Sequence, residues 1–415
     1  MADIRPFRGL RPRPDLVGRV ACPPYDVLSA AEARQMTAGN PDSFLHVIRA
    51  EIDLPPDVDA HSEAVYEKSA QNFNRLIDTG ALVQDEQPCF YVYQLTMGDH
   101  VQHGLVVGAS VAEYEHELIK KHELTHRDKE DDRARHVEKL MANAGPVLLT
   151  YRARATIRDL VGQICCGQQS AYDFVAGDGV RHRLWVVSDP QMIGQLRQAF
   201  ERIDSLYIAD GHHRTASAYR VRNTLRDRNR DHSGNEAYNH FLAVLFPDDE
   251  LKILGYNRVV KDLNGLEPEA FLDKVREKFN IGPTDTPEPQ APRQFGMHLD
   301  GTWYRLTPRN GVVPEDDPVR SLDASVCQDN LLGPILGIKD LRTDERIDFV
   351  GGIRGTKELE KRCRHDMRVA FAMYPVTVAQ LMAISDHHAI MPPKSTWFEP
   401  KLRSGVVVRS LKDNG

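Results

Sequence analysis

Long apolar runs are missing from this 415-residue chain, which argues against a membrane-spanning helix. No stretch approaches the roughly 18–20 consecutive apolar residues that a bilayer requires. Met1-Ala2-Asp3-Ile4-Arg5-Pro6-Phe7 lacks the basic region and apolar core of a secretory signal, so a cytoplasmic protein is expected. Cysteines at metal or redox spacing are missing too. The six cysteines, at 22, 89, 165, 166, 327 and 363, contain no Cys-x-x-Cys, which speaks against structural zinc and a disulfide framework. Cys22, next to two prolines, reads as an ordinary buried thiol rather than a nucleophile. Excess positive charge is absent as well: the formal net charge is −7, which disfavours nucleic acid as the main partner. There is no internal repeat and no low-complexity tract. Neither membrane nor nucleic acid is therefore expected as a partner, and homo-oligomerisation is left open.

What is present is the mixed signal of an α/β protein too long for one small core. The first 50 residues are punctuated by prolines, and Ser29 with Glu32 has the spacing of a capping box. Residues 43–48 read as a strand, and 61–79 as an amphipathic helix ended by Gly80. Residues 89–95 and 103–109 read as paired strands about a polar turn. Further strands are expected at 145–151, 182–187, 206–209 and 241–246, with a helix at 192–201. Composition shifts near residue 262. The proline-rich stretch 263–320 predicts a helix at 271–276 and a hairpin about Asp300-Gly301. Helix and strand signals alternate again from 321 onward. The expected division is thus 1–262, a small α/β insert at 263–320, and a C-terminal α/β region at 321–415.

The most informative stretch is Asp210-Gly211-His212-His213-Arg214. An apolar run precedes it and a helical pattern beginning at Thr215 follows. A strand turning through glycine into a helix N-terminus gathers free N–H groups at one spot. Gly211 lets the backbone approach an anion, while His212, His213 and Arg214 supply donors suited to phosphate oxygens. Asp210 is placed to hold a magnesium ion or to orient a neighbouring histidine. A metal bound by adjacent His212 and His213 fits less well, because neighbours on a helix diverge by about 100° and paired ligands usually stand at i, i+4.

A second constellation runs from Lys120 to Arg133. Phosphoryl transfer to a hydroxyl needs a carboxylate base near the acceptor and cations near the transferring group. Glu123 is the candidate base, with Lys121, His122 and Arg133 available for phosphate or carboxylate. The bland alternative is a solvated, salt-bridged helix, although the turn-forming Thr125 disfavours one regular helix. Pro23-Pro24 fixes an extended entry that presents Tyr25 and Asp26, either to a ligand or as a structural turn. In the loop Pro392-Pro393-Lys394-Ser395-Thr396, a lysine precedes two hydroxyls but the glycines of a P-loop are absent. Lys394, Ser395 and Thr396 either bind a ligand phosphate or form a surface turn. His387-His388 has no partner at metal spacing and reads as a turn.

Six ordered blocks carry a resemblance. Ile4-Arg5-Pro6-Phe7-Arg8-Gly9, Pro23-Pro24-Tyr25-Asp26-Val27, His122-Glu123-Leu124-Thr125, Asp132-Arg133, Asp210-Gly211-His212-His213-Arg214 and Met391-Pro392-Pro393-Lys394-Ser395-Thr396 resemble, nearly end to end, a widespread prokaryotic domain-of-unknown-function family, number ten-fifteen. The Asp210–Arg214 block is also similar to one in free serine kinases of the ParB/sulfiredoxin-like fold. That likeness implies an α/β (α+β) fold with a mixed-sheet ParB/sulfiredoxin-like core. It further implies phosphate binding at Asp210 to Arg214, extending to Thr215, with ATP or ADP and Mg²⁺ as cofactors. Order along the chain and chemistry put the glutamate base of those kinases on Glu123, which would accept the hydroxyl proton; from the residues themselves, Tyr25, Asp26, His122, Thr125, Lys394, Ser395 and Thr396 are the expected substrate contacts. The expected activity is a nucleotide- and Mg²⁺-dependent kinase of a small hydroxyl metabolite, with free L-serine foremost. The alternatives are a non-catalytic nucleotide-sensing module and a metal-dependent hydrolase using His212 or His213.

Overall fold

The computed structural model describes residues 2–412. The chain divides into two compact units, Met1–Leu251 with Pro400–Gly415, and Lys252–Glu399. Both are α+β. Among the described residues, no helix is long and apolar enough to cross a membrane.

The first unit is built on a nine-stranded mixed sheet. Its strands are β1 (Ile4–Arg5), β2 (Phe90–Met97), β3 (His100–Ser110), β4 (Ile119–Lys120), β5 (Val147–Tyr151), β6 (Tyr172–Val175), β7 (Arg181–Val187), β8 (Leu206–Asp210) and β9 (His240–Pro247). The order is β4-β8-β5-β9-β3-β2-β7-β6, with β1 pairing to the end of β3. Two pairings are parallel, β4 with β8 and β5 with β9; the others are antiparallel. The β2–β3 hairpin forms where alternation and a turn at Gly98 (φ 59°) direct it. Helices Ala155–Gly167 and Pro190–Phe200 lay Ile157, Leu160, Ile164, Leu196 and Phe200 against the sheet core of Leu149, Ile208, Phe241 and Leu245. A second core, with Phe44, Leu45, Phe73, Leu76 and Leu140, lies under the N-terminal helices.

The capping box is present as expected. The Ser29 N–H donates to Glu32 at 2.8 Å and the Glu32 N–H to Ser29 Oγ at 3.2 Å. The amphipathic helix spans Glu63–Asp78, and Gly80 follows it at φ 69°. Residues 43–48 differ from expectation: Leu45–Ile48 is a short helix, not a strand. The cause is tertiary. Phe44, Leu45 and Val47 are buried, the Phe44 N–H donates to the Val20 carbonyl, and the Ser69 hydroxyl donates to the Val47 carbonyl. These contacts outweigh the β-propensity of the run.

The charged stretch after β3 is not one helix. It breaks into helix Val111–Glu115, strand β4 and helix α1 (Arg127–Leu140). Helix α2 (His212–Arg228) follows β8 and packs along α1.

The second unit carries a six-stranded antiparallel sheet, in the order Phe279–Pro283, Thr302–Pro308, Phe295–Leu299, Val369–Met373, Tyr256–Val260 and Ile347–Gly351. The expected hairpin about Asp300-Gly301 is there, both residues having positive φ (49° and 79°). The chain does not divide at 263 and 321. Val369–Met373 pairs on one side with Phe295–Leu299 and on the other with Tyr256–Val260, which binds all three segments into one sheet. The last stretch, from Pro400, returns to the first unit. There Val408–Ser410 joins Gly9–Pro12, Leu82–Gln84 and Ala142–Asn143 in a small sheet.

Candidate functional site

The geometry begins with the parallel pairing of β4 and β8, in which Ile119 faces Leu206 and Lys120 faces Tyr207. Parallel neighbours end on the same side of a sheet. The residues after β4, from Lys121 to Thr125, therefore emerge beside those after β8, from Gly211 to Arg214. The antiparallel strand β5 starts at that same end, and brings Gly145 and Pro146 there. Three segments remote in sequence are joined by register alone.

Gly211 turns the chain from β8 into α2 with φ 103° and ψ 29°, a conformation that side chains rarely tolerate. No side chain caps the helix, and its first turn carries no acid. Its early N–H groups and dipole thus favour an anion. Thr215, by contrast, turns its hydroxyl inward to the Gly211 carbonyl at 3.2 Å.

Around this turn the side chains form three groups. The first is His122, Glu123 and His212, whose ligand atoms all lie within 4.8 Å of one another. The two imidazoles meet edge to face with centroids 4.4 Å apart. The His122 backbone N–H donates to His212 Nε2 at 3.4 Å. Burial lowers the His122 pKa to about 4, against the pull of the Asp210 carboxylate. Burial also lowers His212 well below the usual imidazole range, and the neighbouring His122 adds to the effect. Both rings are neutral at neutral pH. His213 faces another way, stacked 6.1 Å from His126 and accepting the His126 N–H at 3.1 Å.

The second group is an ion pair. Asp210 Oδ2 and Lys401 Nζ lie 3.0 Å apart. Burial opposes ionisation of Asp210, but Lys401 and Arg214 prevail and hold the carboxyl well below its usual range.

The third group lines a half-open recess of about 540 Å³, mouth included, among Tyr25, Arg133, His136, Asn143, Arg214, Ser217 and Ser404. The Arg133 guanidinium sits 4.1 Å from the Tyr25 ring centroid and pairs with Asp132 at 2.5 Å. Arg214 donates to the Pro146 carbonyl, and Asp26 stands 4.0 Å from its guanidinium. Burial acts against the charge on Arg214, yet Asp26 and Asp210 sustain it. The Pro-Pro-Tyr-Asp turn is pinned by Arg49, which donates to the Tyr25 and Leu28 carbonyls at 2.7 Å each.

The other residues named from sequence lie as follows. Thr125 donates its hydroxyl to Glu130. Lys121 Nζ is 6.0 Å from the Tyr114 ring. Lys394, Ser395 and Thr396 belong to the second unit, where Ser395 Oγ donates to the Pro392 carbonyl at 2.7 Å and Lys394 Nζ lies 5.7 Å from the Tyr256 ring. Sequence reasoning passed over Lys401, His136, Asn143 and Ser404. Lys401 pairs with a residue 191 positions away, and nothing local marks it. All six cysteines are free thiols, and burial pushes Cys22 up.

Among solved structures, a free serine kinase variant in complex with AMP is 12% identical with a TM-score of 0.36, over 71% of this chain and 87% of that one. SbnI with a C-terminal truncation, from Staphylococcus aureus, is 12% identical with a TM-score of 0.40, over 75% and 90%. A conserved hypothetical protein from Pyrococcus furiosus is 13% identical with a TM-score of 0.35, over 75% and 97%. No protein of curated function matches the sequence. The family model described as "Protein of unknown function (DUF1015)" matches residues 4–325, and the chain belongs to that family.

Proposed function

We propose that this protein is a nucleotide- and Mg²⁺-dependent phosphotransferase acting on a small hydroxyl metabolite, with free L-serine as the first candidate acceptor. One observation carries the reading. A carboxylate, Glu123, stands beside His122 and His212 where an uncapped helix begins behind a positive-φ glycine. Such a place offers a proton acceptor next to a seat for an anion. The similarity of the Asp210–Arg214 block to free serine kinases points the same way.

In this reading the main-chain N–H groups after Gly211 and the Arg214 guanidinium bind and orient phosphate oxygens. Glu123 accepts the proton of the attacking hydroxyl. Arg133, against Tyr25 at the recess, orients an anionic part of the nucleotide or acceptor. Lys401 and Arg214 keep Asp210 ionised, so the Asp210 carboxylate fits a magnesium ion carried by the nucleotide. When bound, that ion would neutralise phosphate charge.

The test is incubation of the purified chain with ATP or ADP, Mg²⁺ and a panel of small hydroxyl metabolites, L-serine included, with phosphorylated products read by mass spectrometry. Glu123→Gln is expected to lower turnover by about 10²–10⁴-fold with little change in nucleotide affinity. Arg214→Ala is expected to weaken nucleotide binding itself. Nucleotide binding without any product would make the protein a sensing module instead. Full activity of Glu123→Gln would remove the assigned base.

A further inference from the structure

We propose that His122, His212 and Glu123 bind one first-row divalent transition-metal ion. The inference is independent of phosphoryl transfer and holds whether or not the protein is a kinase. Hard ions such as Mg²⁺ favour all-oxygen shells, whereas two imidazoles and one carboxylate suit manganese, iron, cobalt, nickel or zinc. That set also leaves coordination positions open for water or a substrate atom.

Geometry supports the assignment first. An ion about 2.1 Å from each ligand atom holds adjacent ligands about 3.0–3.4 Å apart. The three ligand atoms already lie within 4.8 Å of one another, so modest side-chain rotation completes the shell. They are also mounted on firm ground: His122 and Glu123 follow strand β4 and His212 opens helix α2, with the register of β4 and β8 setting their separation.

The second, independent observation is His122 itself. His122 is 2% exposed, and apart from a contact with the Ile208 backbone neither ring nitrogen has a hydrogen-bond partner. A neutral imidazole carries one N–H and one lone pair, and leaving such groups unmet in the interior costs about 1–3 kcal/mol each. The Ile208 backbone faces the ring. A metal-bound imidazole commonly turns its remaining N–H to a backbone carbonyl, and Ile208 stands ready to receive it. The ion then answers the lone pair. On the His212 side, the 3.4 Å contact from the His122 N–H is long and yields easily to a metal. A carboxylate bound through one oxygen keeps the other, so ligation by Glu123 is compatible with its accepting a proton. His213, committed to the His126 N–H, is not part of the set.

The test uses tag-free full-length protein stripped with a chelator and titrated with Co²⁺, without nucleotide or acceptor. Expected are visible d–d bands saturating at one equivalent, displaced by Zn²⁺ and not by a large excess of Mg²⁺. Glu123→Gln, at a half-buried position, should fold normally by circular dichroism and weaken Co²⁺ by tenfold or more. His122→Ala should weaken it further, while His213→Ala keeps wild-type affinity. The proposal is overturned if stripped wild-type protein shows no stoichiometric bands, or if the bands survive both Glu123→Gln and His122→Ala. It is equally overturned if His213→Ala abolishes them. Because no turnover is measured, failure here leaves the phosphotransferase reading to its own test.

Discussion

Glu113 should set how the first unit responds to pH near neutrality. It is 8% exposed in helix Val111–Glu115, and its Oε1 accepts the Asp3 N–H at 2.8 Å, just ahead of strand β1. Burial pushes its pKa up to about 7; the Asp3 N–H opposes the rise and the Asp3 carboxylate adds to it. In the unfolded chain the same carboxyl titrates near 4.3. Between those two values the folded protein holds a proton that the unfolded chain has lost, so stability falls as pH rises. The contribution is complete below about pH 4.3 and gone once pH passes about 7, a difference of about 4 kcal/mol. Glu113→Gln stays neutral throughout, and its amide oxygen can still accept the Asp3 N–H. Variant and wild type should melt alike at pH 4, and at pH 8 the variant should melt about 5–10 °C higher. The buried histidines 122, 136, 182 and 212, with lowered pKa values, act oppositely, gaining stability as pH rises through the unfolded imidazole range. They are common to both proteins and cancel in the difference. Thermal melts at half-unit pH intervals suffice. Parallel curves from pH 5 to 8 would refute the reasoning.

Two further outcomes follow from the turn and its ion pair. Gly211→Ala places a side chain at φ 103° and should destabilise the first unit by about 1–2 kcal/mol while weakening nucleotide binding, read by denaturant melts and calorimetry. Lys401→Met deprives the Asp210 carboxylate of its cation. Because the depressed pKa of Asp210 contributes stability above its unfolded value near 3.9 and loses it on acidification, the variant should be about 1–3 kcal/mol weaker at pH 7. The gap should narrow as pH falls below about 4 and close only where folded-state Asp210 itself takes up its proton; a gap that does not narrow on acidification would mean that the loss is packing rather than charge.

Much of the first unit was legible because its signals are short-range. Alternating apolar residues about Gly98 make a hairpin, Ser29 and Glu32 close a capping box, and an apolar run ending in Asp210-Gly211 makes a strand, a left-handed turn and a helix start. Residues 43–48 misled because burial of Phe44 and Val47 overrides the local preference of a β-branched, aromatic run. The division at 263 and 321 misled for a related reason. Composition marks where proline accumulates, but strand pairing across 295–299 and 369–373 decides which segments share a sheet.

The amino-acid sequence by itself determined the strand–glycine–helix turn at 206–228, the family blocks, and the residue types available for chemistry. Only tertiary structure decided who meets whom. His122 and Glu123 come to His212 through the parallel register of β4 and β8, and Lys401 comes to Asp210 through the return of the last segment to the first unit. Propensity and periodicity act over a few residues along the chain. Register and ion pairing act across some ninety to two hundred residues, where no local pattern records them.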